Sequence, residues 1–247
     1  MLNFRRLALV TLAAPLALGL AACSSEDAAG SGETVAEVAP PEGTTWSQTA
    51  VRTEQGGWLV GNPDAPIKLV EYGSLTCPTC ALFSTEGSAA LHENYIDTGR
   101  VSFELRSTII HGVVDLLITR MLDCAPTNVA VPLADQVWAN MGDVTAPFSE
   151  NQAALEQAFE LPENQRFVAM AQTGGLVDFF AARGVSSDQA QVCLSDAAAV
   201  TALAETTQAA ATEDGVTGTP TFFINDVRVD STRWSEVEGA LQRAGAR

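Results

Sequence analysis

The sequence predicts an α/β protein in which short strands stand on both sides of a long helical block. Residues 67–72 form an apolar run typical of a buried strand, and residues 101–106 alternate between apolar and polar side chains. Helical character covers residues 114–214, and two short strands return at 221–229. Strands separated by helices in the sequence favour a fold in which helices pack on a sheet.

The first 22 residues are interpreted as a removable signal peptide. Arg5 and Arg6 precede an apolar stretch over residues 7–20, which is shorter than the roughly 20 residues that a membrane-spanning helix needs. The Leu-Ala-Ala-Cys at 20–23 resembles the lipobox of bacterial lipoproteins. In that family the signal is cut before the cysteine, so we expect Cys23 to carry a diacylglyceryl group. The alternative is an ordinary signal peptide, with Cys23 as a spare thiol.

The residues after Cys23 are predicted to be a disordered acidic tether that ends at residue 45. Residues 24–45 hold five acidic side chains, no basic one and little that packs. The folded part then spans residues 46–247, which is long enough for one domain with a core.

The net charge is strongly negative, with 13 basic and 30 acidic residues and a formal value of −17. Loss of Arg5 and Arg6 with the signal peptide would leave 11 basic residues and a net charge of −19. Phosphate backbones and anionic headgroups repel such a protein. The charge therefore argues against nucleic-acid binding and against membrane binding driven by charge.

Glu71 is an unusual residue for the strand that it occupies. Ile67 and Leu69 share its face, and Val70 and Tyr72 indicate that the other face is also covered. A strand covered on both faces belongs at the centre of a sheet. We therefore expect Glu71 to be a buried carboxyl group, which is costly unless it has a partner or a use. The alternative is an edge strand with a solvated Glu71.

The motif Cys77-Pro78-Thr79-Cys80 carries the predicted chemistry. It follows the strand and a short loop at 73–76, and it opens a helix, which is the context in which this spacing indicates redox chemistry. Two thiols one helical turn apart can close a disulfide. The first sulfur lies at a helix N-terminus, where free N–H groups and the helix dipole stabilise a thiolate. Pro78 occupies an early helical position, where its missing N–H costs nothing.

The remaining elements follow from periodicity and turn signals. The motif helix is predicted to run to Tyr95, with a bend at Gly87 and a stop before Gly99. Asn225-Asp226 marks a hairpin turn, and an amphipathic helix ends the chain. The helical stretches predicted within the block are 131–141, 151–159, 164–182 and 188–212.

This order of elements resembles the thioredoxin fold with a helical insertion at about 114–214, as in the DsbA family of exported thiol–disulfide oxidoreductases. The resemblance covers most of residues 58–244. It rests on the stretch 61–80 with its motif, on Gly-Thr-Pro-Thr-Phe-Phe-Ile at 218–224, and on the last helix. Together with the lipobox, it implies a membrane-tethered DsbA-like protein.

The resemblance implies a role for each of five residues. Cys77 would be the exposed nucleophile, and Cys80 would resolve the mixed disulfide. Pro220 would be a cis-proline that faces the motif, and Thr219 before it would hydrogen-bond the substrate backbone. Glu71, six residues before Cys77, would accept the proton of Cys80. The alternative for Pro220 is a trans-proline at the start of an edge strand.

One departure from DsbA lies inside the motif, where Thr79 replaces a histidine. A histidine there helps to stabilise the first thiolate, and threonine carries no charge. The chain is therefore expected to be a milder oxidant. His92 is interpreted as a surface helix residue, and His111 follows the second strand and could approach the site.

Cys124 and Cys193 are predicted to form a structural disulfide. Lipidation of Cys23 would leave four cysteines, and an even number in an exported chain favours disulfides. Members of the family often carry a second bridge in the helical block. One alternative is two buried free thiols. Another is a zinc site with four thiolates, which the spacing of the second pair disfavours.

The leading functional hypothesis is an exported enzyme that forms disulfides in other proteins. Its substrates would be exported proteins with reduced cysteines, and a membrane partner would reoxidise Cys77–Cys80. The chemistry needs no cofactor or metal. The protein would lie outside the cytoplasm, in the periplasm or its equivalent, tethered through Cys23. The alternatives are a reductase or isomerase of the same fold, which the lack of a separate dimerisation domain disfavours, and a tethered, non-catalytic binding module.

Overall fold

A mixed sheet lies at the centre of the structure, a computed structural model that describes residues 33–247. Strands β3 and β4 are parallel, and the other neighbouring strands pair antiparallel. The order in the sheet is β1-β2-β4-β3-β5-β6. The strands are β1 (Ala50–Arg52), β2 (Trp58–Gly61), β3 (Ile67–Gly73), β4 (Val101–Ser107), β5 (Thr221–Ile224) and β6 (Val227–Val229).

Helices cover the sheet and fill the interval between β4 and β5. Each helix buries at least one side chain, and most bury several apolar ones against the core. The helices are α1 (Pro78–Leu91), α2 (Val113–Asp123), α3 (Thr127–Ala139), α4 (Met141–Glu150), α5 (Gln152–Phe159), α6 (Glu163–Thr173), α7 (Leu176–Ala181), α8 (Ser187–Ser195), α9 (Ala197–Glu213) and α10 (Trp234–Arg243).

Strand β3 lies between β4 and β5, as its two covered faces predict. Glu71 pairs with Leu105 of β4 and with Phe222 of β5. Ile67 and Leu69 are buried on the same face. The predicted α/β architecture is therefore confirmed, with the motif placed at the end of a central strand.

The strands β1 and β2 were not predicted from the sequence. Both are short, and their alternation covers too few residues to give a periodic signal. They form because Trp58 and Val60 bury their side chains against the core, and the guanidinium of Arg52 stacks over the Trp58 ring at 4.2 Å. This pair of strands extends the sheet beyond β4.

The predicted bend at Gly87 is wrong, because α1 runs through this residue without a break. Gly87 instead provides a close contact between helices. A Cβ atom there would lie 2.5 Å from the indole ring of Trp234 in α10. The helix changes only after Leu91, where a π-helical turn covers His92–Ile96, and Gly99 then adopts a φ of +71°. The glycine is thus required by packing, and not by a change of direction.

The helical block occupies residues 113–213, close to the predicted interval. It is divided more finely than the periodicity indicated. Gly175, with a φ of +71°, separates α6 from α7, and Asp196 caps the start of α9 by accepting a hydrogen bond from the Ala199 amide. Asn140 divides the third helix from the fourth.

Residues 33–45 contact the rest of the domain, so the prediction of a disordered tether up to residue 45 needs correction. The Val35 amide donates to the carbonyl of Gly245, and the Val38 amide donates to the carbonyl of Thr98, each at 3.0 Å. The indole N–H of Trp46 donates to the carbonyl of Val38 at 2.6 Å. Main-chain hydrogen bonds, which side-chain composition does not reveal, attach this segment.

The signal peptide and Cys23 lie outside the described residues, as do residues 24–32 of the predicted tether. Within residues 33–247, none of the helices combines the length and the hydropathy that crossing a bilayer requires.

Candidate active site

The motif lies where β3 ends and α1 begins. β3 ends at Gly73, and the Cys77 amide donates to the carbonyl of Ser74 at 3.2 Å, which closes the loop. Cys77 is the N-cap residue of α1, in an extended backbone conformation, and Pro78 stands at the first helical position. The sulfur of Cys77 therefore lies at the positive end of a helix of 14 residues.

Cys77 is set up to be a thiolate. Its pKa is lowered from 9.0 to about 5, mainly because the thiol of Cys80 donates a hydrogen bond to its sulfur. Contact with Thr219 and the backbone amides of Thr79 and Cys80 act in the same direction, and partial burial opposes them. The residue is only 6% exposed. Cys77 is thus less open than the expected exposed nucleophile, since α1 and the loop before β5 enclose it.

Cys80 has the opposite environment. The residue is fully buried, and this burial raises its pKa far above the ordinary value. Its hydrogen bond to Cys77 and the nearby Glu71 raise the pKa further. At neutral pH the pair therefore consists of one thiolate and one thiol, which is the charge distribution that thiol–disulfide exchange uses.

The segment before β5 closes the other side of the motif. The peptide between Thr219 and Pro220 is cis, as the resemblance implies. The carbonyl oxygen of Thr219 lies 3.4 Å from Sγ of Cys77. Pro220 is buried next to Thr221, the first residue of β5. The structure thus brings Thr219 and Pro220 to the cysteine pair; their contact with a substrate stays a prediction.

Glu71 is buried beneath the motif, as the pattern of its strand predicts. It is 1% exposed, and burial raises its pKa well above 4.5, helped by the negative charges of Asp135 and Cys77. Within the described part of the chain, Oε1 of Glu71 has no hydrogen-bond partner. Gly73 makes room for this atom, because a Cβ at Gly73 would lie 3.1 Å from it. A carboxyl group in this position can exchange a proton with Cys80.

Asp115, a residue that the sequence analysis missed, holds the loop in front of the motif. This carboxylate is fully buried at the start of α2. It accepts hydrogen bonds from the Ser74 hydroxyl at 3.0 Å and from the Thr76 amide at 3.1 Å. It also accepts from the amides of Ile110 and His111. With the Thr76 hydroxyl at 3.0 Å, five donors satisfy its oxygens, and the loop before Cys77 is fixed to α2 as a result.

The two histidines and Thr79 of the motif have different surroundings. His111 does approach it: Nδ1 lies 2.6 Å from Oγ1 of Thr76, the neighbour of Cys77. His92 is half-buried and hydrogen-bonds the Ser47 hydroxyl at 2.9 Å, so it is not the surface residue that was expected. Thr79 is exposed at the start of α1.

Asp135 and Trp138 of α3 also reach the site and were missed. Trp138 donates from its indole N–H to the carbonyl of Ser74 at 2.9 Å, and Asp135 lies near Glu71. Both belong to the helical block, more than 50 positions after the motif. A local pattern cannot show which residues of an inserted helix face a distant strand, so no signal in the sequence identified them.

Cys124 and Cys193 form the predicted second disulfide, with an S–S distance of 2.05 Å and a Cα–Cα distance of 5.8 Å. Cys124 follows α2, and Cys193 belongs to α8. Arg120 donates to the carbonyl of Cys193 at 3.0 Å, so α2 and α8 are also joined by a hydrogen bond. The alternatives of two free thiols and of a zinc site with four thiolates do not fit this pairing. The residues that the structure describes include no cluster of potential metal ligands.

Comparison with known proteins places the chain among thioredoxin-like proteins. The family model described as thioredoxin matches residues 53–243. A relative from Rickettsia bellii with the name "Putative protein-disulfide oxidoreductase" is 24% identical over 204 residues, which cover 83% of this chain and 70% of that protein. A segment of 58 residues is 33% identical to disulfide bond formation protein D of Bacillus subtilis and covers 24% of this chain and 26% of that protein.

Solved structures share the fold. A protein-disulfide isomerase from Novosphingobium aromaticivorans is similar with a TM-score of 0.67 and 27% identity, over 75% of this chain and 95% of that chain. The α-DsbA1 protein of Wolbachia pipientis is similar with a TM-score of 0.60 and 20% identity, over 76% of this chain and 89% of that chain. The inserted helical block is therefore part of a recurring architecture.

Proposed function

The chain belongs to the thioredoxin family, and on that premise we propose that it is a DsbA-like thiol–disulfide oxidoreductase that forms disulfides in other proteins. The paired cysteines supply the chemistry, and the cis-proline segment beside them supplies a place for an extended substrate. The names of the relatives support the reaction class.

The observation that carries this proposal is the difference between the two thiols. Cys77 has a pKa of about 5, whereas the pKa of Cys80 is raised far above its ordinary value. A stabilised Cys77 thiolate favours the reduced form of the pair, and a protein whose reduced form is stable is a strong oxidant of others. The low pKa also makes Cys77 a good leaving group.

The reaction would take two exchanges. A substrate thiolate attacks Sγ of Cys77, the Cys77–Cys80 bond breaks, and Cys80 leaves with the electron pair and takes a proton. A second substrate thiolate then attacks the substrate sulfur of this mixed disulfide, and Cys77 leaves as a thiolate. The substrate has lost two electrons and the motif has gained them. A membrane partner that holds a disulfide would accept these electrons and restore the bond.

The resemblance and the structure support a role in substrate binding for Thr219. Its carbonyl oxygen lies 3.4 Å from Sγ of Cys77. A substrate in an extended conformation would hydrogen-bond the backbone of Thr219 and bring its own sulfur to Cys77. Recognition through the backbone suits an enzyme with many protein substrates.

We propose an extracytoplasmic location with a lipid anchor at Cys23, because the signal-like segment and the lipobox precede the domain. Cys23→Ala should release the protein from membranes into a soluble exported fraction. Membrane association that persists in Cys23→Ala would contradict the anchor. Activity on a soluble substrate should be the same for both forms.

The test of the function is the reduction potential of Cys77–Cys80 against glutathione. We expect a value between about −270 mV, the potential of thioredoxin, and about −120 mV, that of DsbA. The reason is that the Cys77 pKa of about 5 lies between the pKa values of the reactive cysteines of these two proteins, which are roughly 7 and 3.5. Thr79→His should make the potential more oxidising, since a cation would then face the thiolate. A potential at or below that of thioredoxin would contradict the oxidase.

An isomerase is the second candidate, since a similar solved structure carries that name. An isomerase would restore activity to a protein with wrongly paired disulfides, whereas an oxidase acts on a reduced protein. Comparing the two substrates decides between these activities.

The remaining alternative is a binding module without catalytic activity. After mild reduction, Cys77 of such a module should not react with an alkylating agent at mildly acidic pH. Cys77 of an enzyme should be alkylated under the same conditions.

A further inference from the structure

A small cavity lies under the motif, between the sheet and the helices α1 and α3. Its volume is about 10 Å³, which corresponds to one water position. Apolar rings and aliphatic side chains form most of its wall. Five polar side chains also line it: Glu71, Ser84, Ser88, His92 and Asp135.

Glu71 enters this cavity from the sheet with an unsatisfied atom. Oε1 lacks a hydrogen-bond partner among residues 33–247, although the side chain is buried. An unpartnered buried oxygen of this kind costs free energy. A water in the cavity would satisfy it, and the cavity has other polar groups with which such a water could bond.

Asp135 enters the cavity from the opposite side and is fixed in place. Its Oδ1 accepts from the Ser84 hydroxyl and its Oδ2 from the Ser88 hydroxyl, both at 2.7 Å. The two serines are four positions apart on α1, so they face α3 together. Asp135 is half-buried, whereas Glu71 is buried. Asp135 therefore lines the cavity, while part of the residue reaches the surface of the protein.

We propose that Asp135, through one water in this cavity, carries the proton of Glu71 to and from solvent. This inference rests on the proposed function and adds a residue to it. Asp135 does not touch the reacting sulfurs, so it acts through Glu71 as a relay.

The exchange of protons makes such a path necessary. During reoxidation, the Cys77 thiolate attacks the disulfide of the partner and forms a mixed disulfide. Cys80 then gives its proton to ionised Glu71 and attacks Cys77, and the partner leaves with the electron pair. In the reduced protein, however, the Cys77 thiolate raises the pKa of Glu71. Burial and this negative charge favour the protonated form of Glu71, and the proton must leave before Glu71 can act as the base.

The charges around the cavity are consistent with this path. Glu71 faces Asp135, Cys77 and Cys80, and burial and the first two groups favour its neutral form. Asp135 faces Glu71 and His92, and burial raises its pKa while the serines and His92 lower it. A proton passes more readily between two carboxyl groups whose pKa values are both raised than between one with a raised pKa and one with an ordinary pKa.

The test follows each step in the reduced protein with excess oxidised glutathione. Mass spectrometry of quenched samples separates the attack of Cys77, which forms the mixed disulfide, from closure by Cys80. In Asp135→Asn we expect closure to slow by about tenfold while attack is unchanged. The pH profile of closure should also move to lower pH, because loss of the Asp135 charge lowers the pKa of Glu71.

Other outcomes would overturn the relay. Slowing of both steps with an unshifted profile would show a packing role. A shifted profile with an unchanged maximal rate would show a purely electrostatic neighbour. Asp178→Asn, on the exposed side of α7, makes the same change of charge and should alter neither step.

A second variant tests the path by chemical rescue. Asp135→Ala leaves space for a small acid, so formate should restore the rate of closure in this variant and leave the wild-type rate unchanged. Failure of formate to act, together with a normal closure rate in Asp135→Asn, would exclude the relay. If Cys77 of the wild-type protein does not attack glutathione disulfide, the proposed function itself fails, which is a separate result.

Discussion

At the scale of single residues, the chemistry depends on two neighbouring cysteines whose surroundings differ. Cys77 and Cys80 are three positions apart, yet one pKa is lowered and the other is raised. The helix N-terminus explains part of the difference. The larger cause is the hydrogen bond from Cys80 to Cys77, which makes the acidity of the first thiol a property of the pair.

Removing that hydrogen bond should raise the pKa of Cys77. In Cys80→Ala we expect the pKa to rise from about 5 towards 9.0, measured by the ultraviolet absorbance of the thiolate. Cys80→Ser keeps a donor of similar size and should retain much of the shift. A Cys77 pKa in Cys80→Ala equal to that of the wild type would show that the helix N-terminus acts alone.

Glu71 should affect stability in a way that depends on pH. Its pKa in the folded protein is raised above 4.5. As the pH rises above 4.5, the carboxyl group ionises more readily in the unfolded chain, and this lowers the free energy of unfolding. At pH values below 4.5 the effect is absent. Glu71→Gln removes the ionisation. The variant should therefore match the oxidised wild type near pH 4 and exceed its free energy of unfolding near pH 7, measured with urea.

The control for this prediction is Glu86→Gln, an exposed position of α1. It should change stability little at either pH. A stability difference between Glu71→Gln and the wild type that is equal at both pH values would contradict the assignment of a raised pKa to Glu71.

The residues of the site divide into those that a local pattern reveals and those that it cannot. Cys77 and Cys80 follow from spacing, and the burial of Glu71 follows from the apolar neighbours on its strand. Asp115 and Asp135 are contributed by helices that return to the motif from far along the chain. Their contacts depend on how α2 and α3 pack, which periodicity does not determine.

At the scale of elements, helix contacts rather than helix breaks account for the glycine in α1. Phe83 lies against Phe222 and Trp234, with ring centroids 4.3 Å and 5.8 Å apart. Gly87 follows one turn later and lets α10 approach the same side of α1. Low helix propensity predicted a bend here, but tertiary packing decided the role of the residue.

Gly87→Ala should therefore destabilise the protein by about 1–3 kcal/mol, since the new methyl group would meet the buried Trp234 ring. Gly239→Ala in α10 is the matched control. Its Cβ would meet only the mobile end of Arg243, so the higher helix propensity of alanine should stabilise the protein by about 0.5–1 kcal/mol. Urea unfolding measures both. A stabilising Gly87→Ala would show that α10 can move away from α1.

The division of the sequence into elements was predictable where an element is long and periodic. The strands β3 and β4 and the helical block as a whole were located within a few residues. Inside the block, α4 was not among the predicted stretches, and the stretches 164–182 and 188–212 each contain two helices. The short strands β1 and β2 were not, because three or four residues cannot display a period. The attachment of residues 33–45 was missed for a related reason, since it depends on main-chain hydrogen bonds.

At the scale of the whole molecule, the second disulfide joins two helices of the block across 69 positions. Replacing both Cys124 and Cys193 by serine should lower the free energy of unfolding by about 4 kcal/mol, because the unfolded chain regains the entropy of a long loop. Attack by Cys77 on glutathione disulfide should remain. Equal stability of the double variant and the oxidised wild type would contradict a structural role.

The same bond should resist reductants that open the motif. Peptide mapping after mild reduction and alkylation should show modified Cys77 together with a linked Cys124–Cys193 pair. Alkylated Cys124 in the untreated, denatured protein would contradict the bond itself.

The pairing of β3 with β5 also determines when, during synthesis of the chain, the site can be completed. Cys77 and Thr219 are 142 positions apart, and β5 covers one edge of the strand that leads to the motif. Synthesis at about 5–20 residues per second therefore produces the two thiols on the order of ten seconds before their partner strand. For that interval the growing chain has both cysteines but no completed site around them. The segment that encloses the thiol pair is present only after residues 219–224 have been made.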